Sequence, residues 1–264
     1  THYQRQSTIC GAVQSVIENG RKSGAVSRFD PAWLKILQDQ LGAYKHAEFG
    51  LGTSLMQAQR YGYTQMINSA VLTNSSYKLR FAQDLTLYLS EIALDVPGFD
   101  VNAGKKHWLE DPIWQGTRRA VETIMGSQDY LEQYLATNLA FEPMIGELFR
   151  SGFVMQVAAS QGDFITPSVV SAAEADYERN LANTVELIYT LVTDAEFADH
   201  NRQLLSRWLG THVTLAAEAA QLLQPIWSQP RVKVASFSDA YELAKSRIKT
   251  ICAQTELAVP AAIA

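Results

Sequence analysis

The residues best suited to chemistry in this sequence are its histidines and carboxylates, and their spacing leaves out one specific motif. Five histidines occur, at His2, His46, His107, His200 and His212. In helical bundles a paired iron centre is built from Glu-x-x-His motifs, with carboxylate and imidazole on one helix face. Here the residues three before a histidine are Ala43, Gly104, Phe197 and Leu209, and His2 has none. The di-iron motif is therefore missing. Glu196 precedes His200 by four residues, which reads as an exposed helical pair.

The segment Phe141–Phe153 concentrates the remaining chemistry: Glu142, Glu147 and Arg150 in an apolar helical stretch. Glu147 and Arg150 stand three apart, so they share a face and can pair. Pro143 removes a backbone donor and predicts a kink. Gly146 and Gly152 cost helix propensity, which is tolerated where a neighbouring group needs room. Glu142 or Glu147 could act as a metal ligand. With no histidine nearby, a buried or interfacial ion pair is the favoured reading. Glu48, Asp84 and Glu91 read the same way, as polar contacts between helices.

Other motifs carry less. Gly50-Leu51-Gly52 follows no strand, so it is not a phosphate loop. Ser7, Cys10 and Ser160 have no histidine and acid in a nucleophilic arrangement. Tyr177 and the tryptophans Trp108, Trp114, Trp208 and Trp227 read as packing anchors.

These side chains must be placed by long helices. Helical periodicity dominates and no hairpin signal is found. Asp30-Pro31, Asp111-Pro112 and Thr166-Pro167 each put a capping side chain before a proline at the first helical position. The pattern predicts helices over about 3–21, 31–44 and 45–73, a break at Asn74-Ser75, then about 76–95. A shorter pair follows over about 103–125, then helices over about 128–161, 167–193, 196–223 and 238–255. No linker or repeat divides the chain, so 1–264 reads as one all-α domain, a bundle of long packed helices.

Composition bounds the rest. The chain has 264 residues, 47% of them hydrophobic, and a net charge of −5 with both signs mixed. There is no basic footprint for nucleic acid or a membrane surface. No apolar run approaches the roughly 18 residues of a membrane span. The start, THYQRQSTICGAV, carries no signal-peptide pattern, and a cytoplasmic location is expected. Cys10 and Cys252 lie near opposite ends and read as two isolated buried thiols.

Several stretches carry a resemblance. They are His46–Leu51, Trp108–Gln115, Phe141–Gln156, Gly162–Pro167, Asn201–Trp208 and Gln224–Trp227. Over nearly its whole length the chain resembles the smaller, β-type hydroxylase subunit of the soluble di-iron (bacterial multicomponent) monooxygenases. The resemblance implies an all-α, ferritin-like (ribonucleotide-reductase-like) fold. In that family the catalytic α subunit carries two Asp-Glu-x-Arg-His boxes whose Glu and His hold iron. This sequence is similar to both boxes in altered form, at Tyr77–Phe81 and Asp176–Asn180. Lys78 and Tyr177 stand where the glutamates would be, and Phe81 and Asn180 where the histidines would be. Arg80 and Arg179 remain.

The resemblance implies a non-catalytic, metal-free chain within an NADH-dependent monooxygenase. The expected partners are a di-iron α subunit, a second αβ protomer, a small coupling protein, a reductase with FAD and an iron–sulfur cluster, with or without a γ subunit. The Glu-Pro-x-x-Gly-Glu-Leu-Phe-Arg stretch is nearer to alkane and alkene oxidisers than to the toluene and phenol type. The family's longer N-terminal arm is expected to be absent or truncated. Glu142, Glu147, Arg150, Arg80, Arg179 and Trp114 are the expected structural or partner-facing residues. Arg179 is taken as a buried, paired arginine whose loss would cost on the order of 3–5 kcal/mol. Two rivals stay open: an active centre built on Glu48, Glu142, Glu147 and Glu174 without histidine, and a free-standing helical scaffold.

Overall fold

The computed structural model describes residues 2–264, with side chains from residue 4 onward, so the side chain of His2 lies outside the described residues. Among the described residues there is no strand. Helix α1 (His2–Lys22) is followed by α2 (Pro31–Ile36), which runs through a π-helical turn, Leu37–Leu41, into α3 (Gly42–Ala58). Helix α4 (Gln65–Asp95) is 31 residues long. Two shorter helices follow, α5 (Ala103–Glu110) and α6 (Pro112–Gly126). A rod over 130–161 is built from α7 (Tyr130–Leu135), a π-helical stretch Ala136–Gly146, α8 (Glu147–Phe149), a second π stretch Arg150–Val154, and α9 (Met155–Val157). Helices α10 (Thr166–Val192), α11 (Ala198–Leu222) and α12 (Phe237–Thr255) complete the bundle.

Side-chain caps set several starts. Asp30 accepts from Ala32 N at 2.8 Å and Asp111 from Ile113 N at 3.0 Å, as the Asp-Pro pairs predict. The third cap differs. Thr166 is already helical, and Asp163 does the capping, accepting from Ile165 N at 2.8 Å and Thr166 N at 2.9 Å. Asp163 also accepts from Trp33 Nε1 at 2.8 Å, which ties α2 to the start of α10.

The predicted break at Asn74-Ser75 does not exist; the chain turns at 59–64 instead, and Thr64 caps α4. Asn74 and Ser75 are fully buried. Their polar side chains, which read as a loop signal, bond across the core: Ser75 Oγ donates to Gly52 O at 2.7 Å. Pro143 does not break the rod either. It sits in the first π stretch, where the wider hydrogen-bond spacing accommodates a missing donor. The two cysteines are both free; Cys252 is buried but Cys10 only half so.

A contiguous apolar core runs through most of these elements, with Trp33, Trp114 and Phe149 among its largest side chains. Helices α3 and α4 pack along each other, α10 lies against α4 and α12, and α11 lies against α6 and the first π stretch. Among the described residues, no helix is long and apolar enough to cross a membrane.

The tightest backbone approach is between α3 and α5. A Cβ on Gly104 would stand 2.2 Å from the Gly42 carbonyl carbon, whereas one on Gly210, within α11, meets nothing within 4 Å. Gly104→Ala is expected to force the helices apart and cost about 1–3 kcal/mol. Gly210→Ala should stabilise by about 0.5–1 kcal/mol. Urea-unfolding midpoints moving in opposite directions are the expected result; a shared sign would contradict this packing.

Candidate functional site

Four segments converge on a buried charge cluster. Helix α3 supplies Tyr44 and Glu48, α4 supplies Lys78, the rod supplies Glu142 and Arg150, and α10 supplies Glu174. Lys78 Nζ donates to Glu48 Oε2 at 3.0 Å and to Glu142 Oε1. Arg150 donates to Glu48 Oε1 at 3.0 Å, to Glu142 Oε2 at 2.6 Å and to Glu174 Oε1 at 2.6 Å. Both Glu48 and Glu142 thus bridge the same two cations, one oxygen to each. Tyr44 accepts from Arg150 at 2.6 Å and donates to Glu48. Gly146 makes room: a Cβ there would lie 2.6 Å from Glu142 Oε2 and 2.9 Å from Arg150.

The electrostatics are those of compensated burial. Burial alone would raise Glu142, but Arg150 and then Lys78 hold it below the ordinary carboxylate range. Burial pulls Lys78 down, and Glu142 and Glu48 more than reverse it, so the ammonium is secured. Burial likewise opposes Arg150, and Glu142 and Glu174 outweigh it.

Lys78, Phe81, Tyr177 and Asn180, the four altered box positions, are brought together around one cavity of about 20 Å³, with Glu48, Glu142 and Arg150 also lining it. That is room for about one water molecule. A ladder of amides closes one side: Asn180 donates to Asn74 at 2.9 Å, Asn74 to Asn138 at 2.8 Å, and Asn138 to Thr184 at 3.0 Å. Tyr177 turns its hydroxyl to the Asn138 carbonyl at 3.3 Å. Behind it, Arg80 spans Asp84 and Asp176, at 2.6 Å each.

The residues present do not fit an iron pair. The inner carboxylates already bridge two protein cations, and among the described residues no imidazole lines the cavity. His46 stacks on Trp108 at 6.2 Å, His107 bonds Asp111 at 2.7 Å, and His212 bonds Glu132 at 2.9 Å. Glu196 and His200 are exposed. Asp84 and Glu91 pair with Arg80 and Arg21 respectively.

Several expected roles change. Glu147 does not pair with Arg150; it faces outward to Arg247 at 3.5 Å, beside a pocket of about 560 Å³. Burial raises the Glu147 carboxyl to about 7, which Arg247 only partly offsets. Trp114 is wholly internal, its Nε1 donating to Gln40 at 2.7 Å, and Glu142 and Arg150 are equally interior. Arg179 is half-buried, 3.2 Å from Asp176 and 4.9 Å from the centre of the Tyr77 ring; Arg80 is the deeper arginine. Tyr44 and Asn138 escape a reading by motif, since nothing but their helical register points them at the cluster.

The sequence profile of the methane/phenol/alkene hydroxylase family matches residues 1–195. The hydroxylase small subunit of propane 2-monooxygenase from Gordonia sp. (strain TY-5) is 39% identical over 98% of this chain and 70% of that protein.

The chain belongs to this family.

Among the hydroxylases it is a β subunit of the alkane-type di-iron monooxygenases. The methane monooxygenase component A beta chain of Methylosinus trichosporium is 30% identical over 75% of this chain and 51% of that protein. In fold, the chain is similar to phenol hydroxylase from Pseudomonas sp. OX1, with a TM-score of 0.83 over 97% of this chain and 74% of that one, at 18% identity.

Two measurements check the cluster. Lys78→Met leaves two buried carboxylates facing one guanidinium and should cost about 3–5 kcal/mol in urea unfolding. Arg80→Ala should cost more than Arg179→Ala; the reverse order would contradict the burial described above. The second concerns pH. Glu142, held low, contributes stability that is full above its ordinary 4.5 and lost as pH falls toward about 2. Glu147, held high, works oppositely: its folded form keeps a proton that the unfolded chain releases, so stability falls as pH rises from 4.5 through about 7. Glu147→Gln should flatten that upper slope and leave the acid limb intact, as read from unfolding midpoints against pH.

Proposed function

We propose that this chain is the non-catalytic partner of a di-iron α subunit in a hydroxylase that inserts one oxygen atom of O2 into small alkanes or alkenes. The supporting observation is the cluster itself. Lys78 and Arg150 neutralise the carboxylates that an iron pair would need, while the helices around them keep the bundle rigid. A chain of this kind cannot activate oxygen. It can present a fixed helical surface against which a catalytic subunit is shaped. The alkane preference rests on the 39% identity to the propane 2-monooxygenase small subunit.

The wider assembly follows from the same reading. Two αβ protomers associate in the cytoplasm, and a small coupling protein docks on them. A reductase carrying FAD and an iron–sulfur cluster delivers electrons from NADH. The chain is a single domain in this assembly. Iron, when bound in the α subunit, supplies the oxygen chemistry, and this chain's residues take no part in it.

Co-expression with a subunit carrying two Asp-Glu-x-Arg-His boxes tests the proposal. The expected product is a stable complex whose iron fractionates entirely with the larger subunit, together with propane oxidation once reductase and coupling protein are added. Failure to co-purify, or stoichiometric iron in this chain purified alone, would overturn it.

A further inference from the structure

We propose that the Lys78 ammonium is the built-in occupant of a two-carboxylate cation seat, and that removing its side chain opens the seat to a hard divalent cation such as Mn2+. The geometry is on the α4 side of the cluster. Glu48 Oε2, at 3.0 Å, and Glu142 Oε1 both point at Lys78 Nζ, while their other oxygens are committed to Arg150. Glu48, Glu142 and Arg150 are each about 1% exposed, so none of them can turn to water.

Charge counting gives the same answer. Glu48, Glu142 and Glu174 carry three negative charges against two positive ones on Lys78 and Arg150. Without Lys78 the deficit rises to two, the charge of one divalent ion. Buried carboxylates left in that state either take protons or recruit a cation. The two groups facing Lys78 are carboxylate oxygens, the side-chain amides of Asn138 and Asn180 line the cavity, and its described lining includes no imidazole or thiol. Such a set suits Mn2+ or Mg2+ rather than a softer metal. The cavity of about 20 Å³ beside Lys78 would gain the volume of the lysine side chain.

Lys78 therefore acts as a lock as well as a brace. On the function proposed above, in which a partner subunit is loaded with iron, a tethered ammonium also keeps this seat from competing for metal. The cluster supports the lock whatever subunit the chain assembles with.

The test uses the full chain purified in chelator, as wild type and Lys78→Ala, titrated with Mn2+ and followed by thermal unfolding and electron paramagnetic resonance. The expected result is a lowered midpoint for the variant in chelator and a saturable recovery on binding about one Mn2+ per chain. Wild type should show neither. Lys78→Ala/Glu142→Gln should lose the response. No Mn2+ response in the single variant, an equal response in wild type, or a response that survives Glu142→Gln would each overturn the proposal. If Lys78→Ala does not stay folded in chelator, refolding yield is the readout: Mn2+-dependent recovery supports the lock, and equal recovery with and without Mn2+ refutes it.

Discussion

The structure depends on two carboxylates that each bridge the same two cations. Glu48 lies on α3, Lys78 on α4, and Glu142 and Arg150 on the rod, Arg150 directly after α8. Every bond in this square crosses between segments, except the one from Arg150 to Glu142 within the rod. Desolvating these charges is expensive, and removing any one leaves its partners uncompensated in a medium that cannot screen them. The square therefore behaves as a unit. Its third carboxylate, Glu174, extends the tie to α10, and the Arg80 bridge from Asp84 to Asp176 repeats the α4–α10 link nearby.

The backbone of the rod is adapted to this square. Two π-helical stretches flank the single turn of α8, and Glu142 and Arg150 lie in one each. π-helical insertions are common at functional sites because they re-aim side chains without ending the helix. Gly146 sits between the two charged residues with its missing Cβ facing them, so the ion pair lies directly on the helix surface. Pro143, an obstacle in an α-helix, costs less in a stretch whose hydrogen bonds are already respaced.

Much of this was legible in the sequence. The charged apolar segment at 141–153 and the altered boxes at 77–81 and 176–180 are local patterns, and each contributes residues that line the cavity. What could not be read was pairing. Sequence spacing favoured Glu147 with Arg150, yet the π stretches rotate the rod so that Arg150 meets Glu142 and Glu147 turns to Arg247 on α12. Asn74 and Ser75 read as a break because polar residues are usually exposed; here Asn74 serves a buried amide ladder whose partners lie 64 and 106 residues away, and Ser75 bonds the Gly52 carbonyl. Survival in a motif points to Arg179 and Arg80 alike and says nothing about depth. Arg80 occupies the equivalent place in the other box and is the one enclosed.

A core of this kind is not the most stable solution available. Buried ion pairs can often be replaced by well-packed apolar residues at no loss, or with gain. An apolar core would also tolerate sliding, since Leu and Ile contacts change little when a helix shifts. Directional bonds do not. Lys78 must reach Glu48 on α3 and Glu142 on the rod together, and Asn180 must meet Asn74, so α3, α4, the rod and α10 are held in one register. For a subunit whose contribution is shape, register is the property that matters. Lys78 supplies it by filling the seat between two carboxylates on different segments.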